Sequence, residues 1–189
     1  MPQGQDNRRH SPISRRSFLA LGAGAATATL APGPLAAAVR VMPERTLTLY
    51  NTHTGEHLKT VYWSGGSYIP SSLSTVNHFL RDHRSGETHP MDPHVLDVLT
   101  AIQHRFGGNG PIHIVSGYRS PATNAWLASM SGGVARNSLH MQGKAIDIRI
   151  PGRSVRAVSH VAASLRAGGV GTYPASDFVH VDTGRVRYW

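Results

Sequence analysis

The chain has 189 residues, 19 Lys and Arg against 10 Asp and Glu, and a formal net charge of +9. It contains no cysteine, which excludes disulfides, thiolate metal sites and cysteine nucleophiles. Twelve histidines remain, so a metal would have to be held by His, Asp or Glu.

Ser14-Arg15-Arg16-Ser17-Phe18-Leu19 carries paired arginines, and Leu19 to Leu30 is a short apolar run of small residues ahead of Ala36-Ala37-Ala38. A charged start, a short apolar stretch and a small-residue site predict a signal peptide over 1–38, removed after export by the twin-arginine route. The run is too short and too weakly apolar for a stable membrane span. The remaining residues, 39–189, are then one domain, large enough to be stable from its own core. Residues 1–38 hold Arg8, Arg9, Arg15 and Arg16 against Asp6, so their removal lowers the net charge from +9 to +6. A basic surface suits an acidic polymer such as the cell wall. Export, and the lack of Lys and Arg runs interleaved with aromatics, argue against nucleic acid.

Arg45 to Tyr50 and His57 to Trp63 alternate apolar and polar residues around the turn Asn51–Gly55, which predicts a β-hairpin. His53 and His57 are read as hairpin residues. Ser64–Ser67 is expected to be a loop. Helices are predicted over 70–83 and 93–106, a strand at 111–115, and a short helix at 121–130. A strand follows at 145–150, then a helix at 155–165. Gly168-Gly169-Val170-Gly171 is expected to lead into a closing hairpin of strands 178–182 and 186–189. Together these predict an α+β domain: a small, mainly antiparallel sheet with helices packed outside it. No internal repeat is present.

Side chains alternate faces along a strand. Ile146, Ile148 and Ile150 therefore point into a core and leave Asp147 on the other face, while Val179 and Val181 leave His180 with Phe178 and Asp182. If the two strands are neighbours, Asp147 and His180 share one face. His140 enters from the preceding loop, where Gly143 permits a sharp approach. Two histidines and one carboxylate with an open fourth position is the composition of a catalytic zinc site. The competing reading is structural: a buried carboxylate paired with arginine, and a capping histidine. For a metal-activated water, Asp177 or Asp182 would take the proton, and Asp182 could instead fix the His180 imidazole. Arg119 could bind a substrate carboxylate or stabilise an oxyanion. H-E-x-x-H, G-x-S-x-G and P-loop motifs are absent.

Ser116-Gly117-Tyr118-Arg119-Ser120-Pro121, Ser138 to Asp147 and Phe178 to Gly184 resemble the LAS group of zinc peptidases, specifically its murein endopeptidases. Asn51 to Glu56 and Arg81 to Arg84 extend the resemblance over nearly all of 39–189. It implies a hedgehog/D-Ala-D-Ala peptidase-like fold, one zinc per chain on His140, Asp147 and His180, and Arg119 as the group's arginine. It implies hydrolysis of peptide cross-links in peptidoglycan by a monomer in the periplasm or cell-wall space. Many members carry a histidine two residues before the last ligand, where this chain has Phe178. Others carry a glutamate three residues before it, where this chain has Asp177. Two other activities share these residues: trimming of terminal D-Ala by a carboxypeptidase, and wall binding by a non-catalytic zinc module.

Overall fold

The first hairpin forms where the alternation places it. β1 (Arg45–Asn51) pairs antiparallel with β2 (His57–Ser64), and Leu47, Leu49 and Tyr62 are turned fully into the core. The computed structural model describes residues 43–189 apart from Asn109 and Gly132; the predicted signal segment 1–38 lies outside the described residues. Ser67, expected in a loop, begins a short third strand, β3 (Ser67–Tyr68), on the outer edge of β2.

α1 (Pro70–Phe79) starts on a proline at its first position and ends four residues before the predicted stop. The reason is Asp82, whose carboxylate accepts from the backbone N–H of Arg84 and of Ser120, so the chain turns instead of continuing the helix. α2 (Pro93–Arg105) is capped by Asp92, which accepts from His94 N, and buries Val95, Leu96, Leu99 and Ile102. β4 (Ile112–Ser116), α3 (Pro121–Met130) and β5 (Ala145–Arg149) follow, the last two separated by a 3-10 turn at Leu139–Gln142. α4 (Val155–Ser164) begins on the cap Ser154.

The C-terminal region departs most from expectation. Gly169–Tyr173 is a strand, β6, antiparallel to β7 (Phe178–Asp182). The last strand, β8 (Arg187–Tyr188), pairs in parallel with β6 and not with β7, so there is no closing hairpin. The turn after Asp182 carries the chain across β7's neighbour instead of back along β7.

All eight strands form one sheet in the order β3-β2-β1-β4-β5-β7-β6-β8. Its β1–β4 and β6–β8 pairs are parallel and the others antiparallel, so the α+β class holds while the sheet is larger and more mixed than predicted. α1, α2 and α4 pack on the face that carries Leu49, Ile114, Ile146, Ile148, Val179 and Val181. The opposite face of β5 and β7 carries Asp147, Phe178, His180 and Asp182.

Candidate metal centre

Asp147 and His180 are direct partners in the β5–β7 ladder. The alternation that buries Ile146, Ile148, Val179 and Val181 therefore forces both onto the other face, side by side. His140 comes from the 3-10 turn, and its own N–H is capped by the Ser138 hydroxyl oxygen. The turn closes through Gly143, which has φ +65 and packs against Pro90, so that a Cβ there would strike the Pro90 carbonyl. Only glycine fits both the conformation and the space.

The three donor atoms meet at hydrogen-bond distances. His140 Nε2 and His180 Nδ1 are 3.1 Å apart, His180 Nδ1 and Asp147 Oδ1 2.9 Å, and His140 Nε2 and Asp147 Oδ1 3.3 Å. The outer nitrogens fix the tautomers. His140 Nδ1–H donates to the Gly117 carbonyl at 2.8 Å, and His180 Nε2–H donates to Asp182 Oδ2 at 3.0 Å. Both inner nitrogens are then bare lone pairs facing a carboxylate oxygen. A shared proton would serve one pair; a divalent cation serves all three. Zinc bonded at about 2.0–2.1 Å makes tetrahedral edges of roughly 3.3–3.4 Å, so the observed triangle fits with a slight opening. The side chains are 3 %, 8 % and 12 % exposed for His140, Asp147 and His180, which leaves solvent access on the His180 side. They line a cavity of about 480 Å³ together with Arg119.

Asp182 sits behind the site. Its Oδ1 accepts from Gly169 N, Gly184 N and Arg187 Nη1, and its Oδ2 from His180 and Arg187 Nη2. Burial alone would raise its pKa, but the hydrogen bonds from His180, Arg187 and the two backbone groups hold the carboxyl well below its ordinary range. With five donors on two oxygens and no exposure, this carboxylate orients His180 and does not face the cavity.

Asp177 is placed elsewhere. It takes a left-handed conformation, φ +53, its side chain is 71 % exposed, and its carboxylate pairs with Arg149 at 3.3 Å. Among the described residues Asp147 is the only carboxylate lining the metal cavity.

Arg119 does reach the cavity. Its guanidinium lies 3.7 Å from Asp147 Oδ2 and donates weakly to Asn124 Oδ1 and Ser116 Oγ, while its Nε is buried without a partner. The loop that carries it is pinned by Tyr118 N donating to the Leu80 carbonyl and Ser120 N donating to Asp82. The Gly117 carbonyl that orients His140 belongs to the same loop.

Sequence reasoning missed Tyr173, Arg187 and Trp189, which also line this cavity. The available signal was the alternation of small residues in Gly169-Val170-Gly171: a Cβ at Gly169 would collide with Arg187, and one at Gly171 would lie 2.6 Å from the Trp189 ring.

An α+β sheet that presents three proton-free donors in one open cavity is the frame of a mononuclear metallohydrolase. The family model described as peptidoglycan L,D-endopeptidase MepK matches residues 39–189, and the chain belongs to that family of peptidases. It is 43% identical over 176 residues to the peptidoglycan L,D-endopeptidase MepK of Escherichia coli, covering 93% of this chain and 97% of that relative. It is 41% identical over 177 residues to the probable peptidoglycan L,D-endopeptidase MepK of Haemophilus influenzae, covering 93% and 95%. The resemblance to murein endopeptidases drawn from the motifs is thus borne out. No described helix is long and apolar enough to cross a membrane.

Proposed function

We propose that this chain hydrolyses an L,D peptide bond in the cross-links of peptidoglycan, with one zinc ion held by His140, Asp147 and His180. The reading is carried by the convergence of two bare imidazole nitrogens and one carboxylate oxygen within 3.3 Å of one another. Bound there, zinc would lower the pKa of a water toward about 7 and polarise the scissile carbonyl.

The chain's own residues prepare the site. Gly117 and Asp182 hold the two imidazoles in the tautomers that leave Nε2 of His140 and Nδ1 of His180 unprotonated. Arg119, with a buried Nε and only long hydrogen bonds, offers spare donors to a carboxylate or carbonyl oxygen of the substrate. Asp177 takes no part, being paired with Arg149 outside the cavity. Residues 1–38 serve as a twin-arginine export signal, and the mature chain works as a monomer on the wall outside the inner membrane. Its net charge of +6 favours the acidic polymer.

The test is digestion of purified sacculi by the mature protein, with zinc and with a chelator, read by mass spectrometry. Chelator-sensitive conversion of cross-linked dimers to monomers is expected, with masses that place the cut at an L,D bond. Release of terminal alanine alone would make the chain a carboxypeptidase. Unchanged sacculi with zinc bound would make it a wall-binding module.

A further inference from the structure

The wall of the cavity beside His180 is aromatic. Tyr173 stands at the end of β6 opposite Phe178 of β7, and their rings stack with centroids 4.5 Å apart. The Trp189 ring lies over Gly171, 5.4 Å from the His180 ring, and Arg187 covers it from 4.8 Å while gripping Asp182 with both terminal nitrogens. The Trp189 indole Nε1–H donates to the Tyr173 hydroxyl at 2.7 Å.

That last bond has a direction. An indole N–H can only donate, so the phenol oxygen is the acceptor and its own proton points to some other partner. Among the described residues the Tyr173 hydroxyl proton has no acceptor, and the side chain lines the metal cavity. A donated N–H also polarises the phenol O–H and strengthens it as a donor. Arg119 lies in the same cavity, so a substrate there meets a cation and a poised hydroxyl as well as the metal donors.

We propose that Tyr173 is a catalytic residue: its hydroxyl donates a hydrogen bond to the oxygen of the carbonyl under attack, and Trp189 is the positioning residue that fixes and polarises it. The proposal rests on the reading of this cavity as a peptide hydrolase. A donor set in place before the reaction gains strength as negative charge develops on that oxygen, without reorganisation cost. Gly171 and Arg187 serve the same arrangement by seating the indole.

The experiment compares wild type, Tyr173→Phe, Trp189→Phe and the double variant on a purified cross-linked muropeptide dimer. It measures kcat, KM and zinc affinity by chelator competition. Tyr173→Phe is expected to lower kcat by about 100-fold or more, the usual effect of losing one oxyanion donor. KM and zinc affinity should stay at wild-type values. Trp189→Phe keeps a ring but loses the N–H; it should lower kcat less and add little in the Tyr173→Phe background. A wild-type kcat in Tyr173→Phe overturns the proposal alone. So does a loss of activity matched by a loss of zinc, because Tyr173 would then merely support the metal site. A zinc-loaded wild type that leaves the dimer intact overturns the hydrolase reading and this proposal with it.

Discussion

His140 and His180 meet nitrogen to nitrogen, Nε2 to Nδ1 at 3.1 Å, and as neutral imidazoles neither has a proton to give the other. Each has already spent its ring N–H on an outer partner, the Gly117 carbonyl and the Asp182 carboxylate. Two lone pairs held this close repel unless a cation lies between them and Asp147. Replacing His140 or Asp147 by Ala should therefore abolish both stoichiometric zinc binding and muropeptide cleavage. Metal analysis of the purified variants checks the first, and a wild-type zinc content in either variant would reject the ligand set.

Metal removal should also be visible in stability. A ligand that binds only the folded state stabilises it by about 2.7 kcal/mol at a hundredfold excess over its Kd. Chelation should lower the thermal midpoint of the mature protein, and zinc should restore it. The same titration on Asp147→Ala should show no shift.

Asp182 supports His180 and does not touch the reacting groups. Asp182→Asn should lower zinc affinity about 10- to 100-fold, the usual cost of losing a partner that orients a ligand histidine. Arg187→Met should act in the same direction with a smaller effect, since it removes the bidentate partner that holds the Asp182 carboxylate. Competition with a chromophoric chelator measures both.

Asp177, three residues before a ligand, is expected to be dispensable. Its carboxylate is exposed and paired only with Arg149, an arrangement that contributes about 0–1 kcal/mol to stability. Asp177→Asn should keep kcat/KM within a few-fold of wild type. A loss of two orders of magnitude would return this side chain to the reaction.

The pair His53 and His83, stacked with centroids 3.9 Å apart, predicts acid sensitivity away from the site. Burial, followed by the neighbouring His53 and Arg84, pushes the pKa of His83 down to about 4 from 6.5. A depressed folded-state pKa means that the unfolded chain binds the proton first. The stability contributed by neutral His83 is thus complete above about pH 6.5 and lost as the pH falls toward 4. Urea midpoints of wild type should fall across this window more steeply than those of His83→Gln.

The convergence of His140, Asp147 and His180, a group that could hold a metal ion, was legible in the sequence because strand alternation fixes faces. Once Ile146, Ile148, Val179 and Val181 are buried, Asp147 and His180 have only one face left, and pairing of β5 with β7 brings them together. The roles of the other two acids were not legible. Asp177 is near His180 in sequence, but a left-handed backbone at Asp177 itself turns its side chain out of the cavity. Asp182 shares a face with His180, yet its environment is made by Gly169, Gly184 and Arg187, contacts that no local pattern announces.

The C-terminal region shows the same limit. Gly169-Val170-Gly171 has the composition of a loop, because glycine weakens a strand unless another group must approach it closely. Here the approaching groups are Arg187 of β8 and Trp189, the residue after it. That requirement exists only in three dimensions, as does the parallel pairing that replaces the expected hairpin.

Asp147 and His180 face each other across strands that are already hydrogen-bonded, and His140 is held by Gly117 and by the close fit of Gly143 on Pro90. The donors are thus assembled by a core of ordinary size and not by the ion. Small zinc modules, in contrast, stay unfolded until metal arrives. The empty protein should therefore persist as a folded, inactive store that zinc can switch on within a single binding step, tying wall cleavage to how much metal the surroundings supply.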